Sequence, residues 1–321
     1  MLVMRWQLRL LIAVIALFLS ACSEEPEQAI RIGSSPWPGY EPLYLARDLG
    51  YFDHNRVSLF ELPSADITLE SFRNHSVDIA SLPLDSVLEL IQEGSQIKII
   101  LIMNISHGGD VVLVKPDIKH LTDIKGKRVA AVNIPLGLYM LSRLLDRAGL
   151  EKKDIELSLM SETEQEAFYK SGQADVVITY DPVKTALQKA GMKTIFDSTD
   201  IPNEIFDILV VHESVYLSHK KDVCEVVNQW FETLDYIHEN QQDAAVKISR
   251  RLGVSESDYH QMLKGIIIPD KKTVKAMLGG EKPELVPAAN RLASILQKER
   301  LIKDFADVSG AIDTDFVSCI N

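Results

Sequence analysis

Three observations predict a two-lobed α/β protein. Strand-like and helix-like segments alternate from Ile30 to His212. The alternation falls into two units, separated by an interruption at Ser106-His-Gly-Gly-Asp110. A final apolar run at 205–212 then leads back, so the chain goes out to a second lobe and returns, crossing between lobes twice.

The first unit opens with a short strand at 30–34, broken by Pro36-Trp37-Pro38-Gly39, where two of four residues lack an N–H and a ladder cannot continue. A helix follows, with Pro42 suited to its first turn, Leu45, Ala46 and Leu49 on one apolar face, and Gly50 at its C-terminal end. This strand-loop-helix sets the loop at the carboxyl edge of a sheet, where open α/β sheets bind small ligands. Trp37 and Tyr40 are large rings in a loop that needs only small polar residues. Strands at 57–62, 77–81 and 97–105 alternate with helices at 65–74 and 85–92. The run at 97–105 is nearly all apolar, as in a central parallel strand.

The second unit has strands at 111–114, 155–160, 174–180 and 193–196, a segment at 121–132 that opens its next strand-helix step, and helices at 136–148 (closed by Gly149), 162–170 and after Asp181-Pro182. Beyond the returning strand the chain turns helical. Residues 222–239 carry Val223, Val226, Val227, Trp230, Leu234 and Ile237 at helical spacing, a core-facing stripe, and further helices fall near 244–252, 256–264, 272–277 and 286–298. The crossings are expected near 112–116 and 204–209, giving lobe 1 as 30–112 with 205–321 and lobe 2 as 113–204.

At the N-terminus, Arg5 and Arg9 precede an apolar run at 10–19 that ends in Leu19-Ser-Ala-Cys22. The run is short for a membrane span, and small residues before a cleavage point mark a signal peptide. The ending resembles a bacterial lipobox. It implies a signal peptide at 1–21, lipidation of Cys22 and a polar tether at 22–29; an uncleaved signal anchor is the alternative. Ser23 rather than aspartate after the cysteine favours the outer membrane. The net charge of −12, more negative once Arg5 and Arg9 leave, argues against nucleic acid as partner. Cys224 and Cys319 have no metal-motif spacing, and either pair in an oxidising compartment or stay as buried thiols. Phosphate-cradling, HExxH, CxxC and nucleophile-elbow motifs are all missing from the sequence, and the eight histidines lack ligand spacing.

Five segments together resemble the solute-binding proteins of ABC transporters in the nitrate/sulfonate/taurine and thiamine-pyrimidine group. They are Trp37-Pro-Gly-Tyr-Glu-Pro-Leu-Tyr-Leu-Ala46 with Gly50-Tyr-Phe52, Val77-Asp-Ile-Ala80, Ser106-His-Gly-Gly-Asp110, Leu121-Thr-Asp-Ile-Lys-Gly-Lys-Arg-Val129 and Ala174-Asp-Val-Val-Ile-Thr-Tyr-Asp-Pro182. The resemblance implies a type II periplasmic binding protein, two lobes closing over a small solute. Carried over position by position, it puts Trp37, Tyr40, Asp85, Ser106, His107, Gly108, Asn133, Tyr139, Tyr180 and Asp181 in the cleft. His107, Gly109 and the Asn133-Ile-Pro-Leu-Gly137 segment depart from the family pattern. Asp110 is expected to organise its loop, and Asp181 has helix capping as an alternative role.

The candidate list holds aromatic rings and carboxylates but no lysine or arginine. It favours a heteroaromatic or amine-bearing solute, with a sulfonate as the alternative. Trp37 and Tyr180 are expected to clamp a flat solute from opposite lobes, so that Trp37→Ala would weaken binding without disturbing the fold. The function implied is solute capture and delivery to an ABC permease, by a protein that is not an enzyme and needs no cofactor or metal. Docking on a membrane sensor and an enzyme of thiamine-pyrimidine precursor metabolism are the alternatives.

Overall fold

The computed structural model describes residues 29–320. The signal peptide, Cys22 and most of the expected tether lie outside the described residues. Among these, no helix is long and apolar enough to cross a membrane.

The strands, in chain order, are β1 (Ile30–Ser34), β2 (Val57–Glu61), β3 (Ile79–Pro83), β4 (Ile97–Ser106), β5 (Val111–Val114), β6 (Arg128–Val132), β7 (Glu156–Met160), β8 (Val176–Thr179), β9 (Lys193–Asp197), β10 (Phe206–His212) and β11 (Ile266–Ile267). They form two sheets. One has the order β11-β4-β10-β3-β1-β2, the other β7-β6-β8-β5-β9. Within the first sheet β2, β1 and β3 run parallel, and β10 lies antiparallel between β3 and β4. In the second, β7, β6 and β8 run parallel and β5 lies antiparallel beside β8.

The two antiparallel insertions have one cause. Most strands run with their carboxyl ends toward the cleft, but a strand that has just crossed from the other lobe starts at the cleft and must run away from it. β5 does this after the outward crossing and β10 after the return. The expectation that 97–105 pairs as a central parallel strand is corrected accordingly: β4 is parallel to β3 in direction, but β10 separates them.

The outward crossing occupies 107–110, upstream of the expected 112–116, because Val111 and Val112 already pair with Thr179 and Ile178 in the second sheet. The chain can turn there because Gly108 has φ +94° and Gly109 packs against the Gly265 backbone. The return runs from 198 to 205, and β10 starts at Phe206.

The helices follow the expected periodicity. Glu41–Asp48 ends with Gly50 at φ +76° and Pro135–Ala148 ends in Gly149 at φ +65°, both left-handed caps. The long helix Lys220–Glu239 buries Val223, Val226, Val227 and Trp230 on one face. Cys224 on this helix is disulfide-bonded to Cys319, which ties the C-terminal segment to the first lobe. Helix Gln241–Leu252 is held to helix Glu41–Asp48 by Arg251, which pairs with the fully buried Glu41 and lies 3.6 Å over the Tyr44 ring.

Candidate functional site

β1 delivers the chain to the cleft at Ser34, and the proline-bounded loop then presents Trp37 in extended backbone before the turn Pro38–Tyr40. The indole is only 5 % exposed, and its Nε1–H donates to Asn104 Oδ1 at 3.4 Å. Two glycines make room for it. A Cβ at Gly39 would strike the Asn104 side chain and the indole nitrogen, and one at Gly109 would sit 2.8 Å from Trp37 Cη2. Three residues on, the Tyr40 hydroxyl donates to Asp207 Oδ1 at 2.8 Å. Asp207 stands opposite Asn104 near the cleft end of β10, next to a register shift that re-aims the strand.

The second lobe contributes Tyr180, just past β8. Its ring meets Trp37 edge to face, with centroids 5.7 Å apart and planes at 82°. The Tyr180 hydroxyl lies beside the Glu162 carboxylate. Ser35, Trp37, Tyr40, Asp110, Asp207 and Tyr180 line a cavity between the lobes, with Ile134 and Leu136 among its apolar wall. Its volume is only about 20 Å³, room for about one water. The lobes are thus closed on one another, and any solute larger than water needs them further apart.

Closure is held by polar contacts across the cleft. Glu162 Oε1 accepts the Ala65 N–H at 2.8 Å, at the N-terminus of helix Ala65–Arg73. At the crossings, the Ser106 and Ser198 hydroxyls lie 2.8 Å apart and the Gly108 N–H donates to Ser198 Oγ at 2.6 Å. Lys184 Nζ donates to Gly108 O at 3.0 Å and lies 3.2 Å from the Asp181 carboxylate.

The cavity is acidic. Burial and the nearby Asp110 charge push Asp207 up to about 7, against opposing donors from Tyr40, Asn104 and Trp37. Burial pushes Asp110 up to about 6, opposed by the Ser106 hydroxyl and Lys184. Asp85 is raised well above the usual carboxylate range, chiefly by burial, and one of its oxygens has no partner. Among the described residues no group of three or more His, Cys, Asp or Glu side chains is arranged to hold a metal ion.

Of the ten cleft residues expected from sequence, Trp37, Tyr40 and Tyr180 line the cavity. Asp85 is buried in the first turn of helix Leu84–Gln92, behind the lining. Ser106 and Gly108 serve the crossing. His107 is exposed, because its backbone N–H donates to Gly265 O and turns the side chain outward. Asn133 is exposed too, its N–H committed to Met160 O. Tyr139 is buried with its hydroxyl on the Glu204 carboxylate, which Arg143 also holds at 3.0 Å. Asp181 caps the next helix, accepting from Thr185 N at 3.0 Å and Thr185 Oγ1 at 2.6 Å. Asp207 was not expected. Its signal was a lone carboxylate inside the apolar run Ile205-Phe-Asp-Ile-Leu-Val-Val211. Asp110, expected only to organise its loop, faces the cavity.

A larger groove of about 980 Å³ lies against helices Lys220–Glu239, Gln241–Leu252 and Glu256–Leu263. It involves one lobe alone, whereas the small cavity is walled by both.

Two α/β lobes, two crossings and a cavity lined from both sides define a type II periplasmic binding protein fold. The chain belongs to the NMT1/THI5-like family, whose model matches residues 37–244. A relative from Escherichia coli (strain K12), named for binding aliphatic sulfonates, is 25 % identical over 194 residues. That alignment covers 58 % of this chain, and the chain spans about 60 % of the relative's length. Among solved structures, the alkanesulfonate-binding protein SsuA of Xanthomonas axonopodis pv. citri, bound to MOPS, superposes with a TM-score of 0.77 at 16 % identity, over 90 % of this chain and 99 % of that one. The desulfurization enzyme DszB shares the fold at a TM-score of 0.65 and 15 % identity, over 90 % of this chain and 98 % of its own.

Proposed function

We propose that this protein is the solute-capture component of an ABC import system. It takes a small organic solute between its lobes and hands it to a membrane permease. The observation that carries this reading is the cavity at the lobe boundary, with Trp37, Tyr40 and Asp207 from one lobe and Tyr180 from the other. A solute touching both walls makes contacts that exist only when the lobes are together, and that differential contact drives closure. The relative named for binding aliphatic sulfonates supports the binding of a small organic solute. The neighbouring enzyme shows that the fold can also host chemistry. Against an enzyme here stands the cavity lining, which brings rings, hydroxyls and carboxylates but no histidine or cysteine.

The same reading includes export. Residues 1–21 act as a signal peptide and Cys22 carries lipid, supported by Leu19-Ser-Ala-Cys22 and by the Cys224–Cys319 disulfide, which suits an oxidising compartment. Ser23 supports an outer-membrane anchor in the periplasm.

The test is a thermal-shift screen of the protein against taurine, alkanesulfonates, nitrate, pyrimidines, polyamines and amino acids, with X-ray scattering on every hit. A true solute raises the melting temperature by mass action. Hits that are consumed rather than returned unchanged would sink the transport reading. Separately, Cys22→Ala should release the protein from membranes, and persistent attachment after signal cleavage would refute the lipid anchor.

A further inference from the structure

Resting on the solute-binding reading above, we propose that this cleft selects an organic cation: a flat molecule bearing an ammonium or amidinium group, held by Asp207 and Asp110 with its ring against Trp37 and Tyr180.

Three helix N-termini beside the cleft already hold carboxylates, while helix Pro135–Ala148, whose Leu136 lines the cavity, has none in its first turn. Anions on such folds can use the N–H groups at helix N-termini. Here the helix Ala65–Arg73 receives Glu162 from the opposite lobe. The helix Leu84–Gln92 carries Asp85 in its first turn, and the helix Glu41–Asp48 carries Glu41. Fixed countercharge is scarce. No lysine or arginine lines the cavity. Lys184, which lies near Asp110, is engaged with Asp181 and Gly108 O. Arg251 is committed to Glu41 and Glu61. Asp207 is met by hydrogen-bond donors, chiefly the Tyr40 hydroxyl, and by no cation.

An independent observation comes from the other wall. Tyr180 is 7 % exposed and lines the cavity, with the Glu162 carboxylate beside its hydroxyl. The Trp37 Nε1–H and the Tyr40 O–H are spent on Asn104 and Asp207. What the walls offer a newcomer is the pair of carboxylates Asp207 and Asp110, with the Ser35 and Tyr180 hydroxyls able to donate or accept. A cation rich in N–H donors satisfies the carboxylates, whereas a sulfonate meets them as like charge. The two rings add an attractive face for positive charge.

Titration supports the same sign. The titratable groups around Asp207 and Asp110 are Asp85 from its helix, Tyr180 from the second lobe with Glu162 beside it, Tyr40, and the Asp181–Lys184 pair. Burial, and with it the surrounding acids, makes the two aspartates hold protons toward neutrality in the closed cleft. An arriving cation takes the place of such a proton, so cation binding should release protons and strengthen as pH rises.

Three probes of one size separate the possibilities: benzylammonium, benzyl alcohol and phenylmethanesulfonate, titrated calorimetrically into the purified protein. The expected order is cation tightest, then alcohol, then sulfonate, with at least about tenfold between cation and sulfonate. Between pH 5 and pH 8 the cation should bind about tenfold more tightly, with proton release seen as a buffer-dependent heat. Asp207→Asn, an isosteric change checked by circular dichroism, should remove most of the cation preference, and Asp110→Asn should act in the same direction. If the sulfonate binds tightest, or the cation is indifferent to both substitutions, the charge assignment is overturned while solute binding stands. If neither these probes nor any compound of the broad solute screen binds, the solute-binding reading falls, and the assignment with it.

Discussion

Raising the pH from 5 to 8 should open the lobes without unfolding them. Asp207 is buried in the closed cleft and titrates at about 7 instead of the ordinary 3.8. In an open molecule it faces water and returns toward that ordinary value. The closed form thus holds the proton more tightly. Its advantage is complete at pH values below the ordinary carboxylate pKa and falls progressively as pH rises from about 4 to 7. Of about 4 kcal/mol in all, about 3 kcal/mol of closure free energy is lost between pH 5 and pH 8. Asp110, at about 6, acts in the same direction, and since its charge is one cause of the Asp207 shift the two contributions do not add. Opposing this are contacts that ionisation leaves intact, namely the Ser106–Ser198 and Lys184–Gly108 bonds at the crossings. Small-angle scattering at intervals from pH 5 to 8 should show the radius of gyration increasing, with far-ultraviolet dichroism unchanged. Trp37 should become exposed over the same range, giving a red shift of emission that Trp37→Phe abolishes. The double variant Asp110→Asn/Asp207→Asn should stay closed throughout. An unchanged radius in the wild type, or an unchanged transition in the double variant, would refute the reasoning.

Three further outcomes can be checked directly. Trp37→Ala should lower stability by about 3–5 kcal/mol in urea titrations, because the ring is packed against Gly39 and Asn104 of its own lobe and Gly109 of the outward crossing. A variant with unchanged stability and impaired binding would restore the simpler expectation of a ring waiting for solute. Arg251→Ala should cost about 3–5 kcal/mol by leaving Glu41 buried without its partner. Burial holds Glu41 at about 7 even with Arg251 present, and losing that charge raises it further. The melting-temperature loss should therefore be larger at pH 8 than at pH 5, and Glu41→Gln should rescue much of it. Cys224→Ser opens a covalent loop with a sequence separation of 95 residues, worth about 4–5 kcal/mol in the chain-entropy account. Calorimetry with and without reductant should show the wild type losing stability and the variant insensitive to the reagent.

The sequence by itself determined the alternation of strands and helices, the two lobes, and the loop that carries Trp37 and Tyr40. Apolar periodicity and the Pro36-Trp-Pro-Gly39 punctuation are local properties, and they act over a few residues whatever surrounds them. It also set Trp37 and Tyr180 on facing lobes, where the rings meet each other edge to face and leave no parallel slot between them. Only the tertiary structure decided that β10 inserts between β3 and β4, since partner choice in a sheet depends on where a returning chain can enter. It likewise decided that His107 turns outward, through a bond to Gly265, 158 residues along the chain from it. The pairing of Cys224 with Cys319, left open by spacing, followed from the C-terminal segment packing on the long helix. Asp207 is the residue that shows the division most plainly. Its lone charge in an apolar strand was written in the sequence, but its meaning depended on Tyr40, Asn104 and Asp110 converging on it from segments that are distant in the chain and adjacent only after both crossings are made.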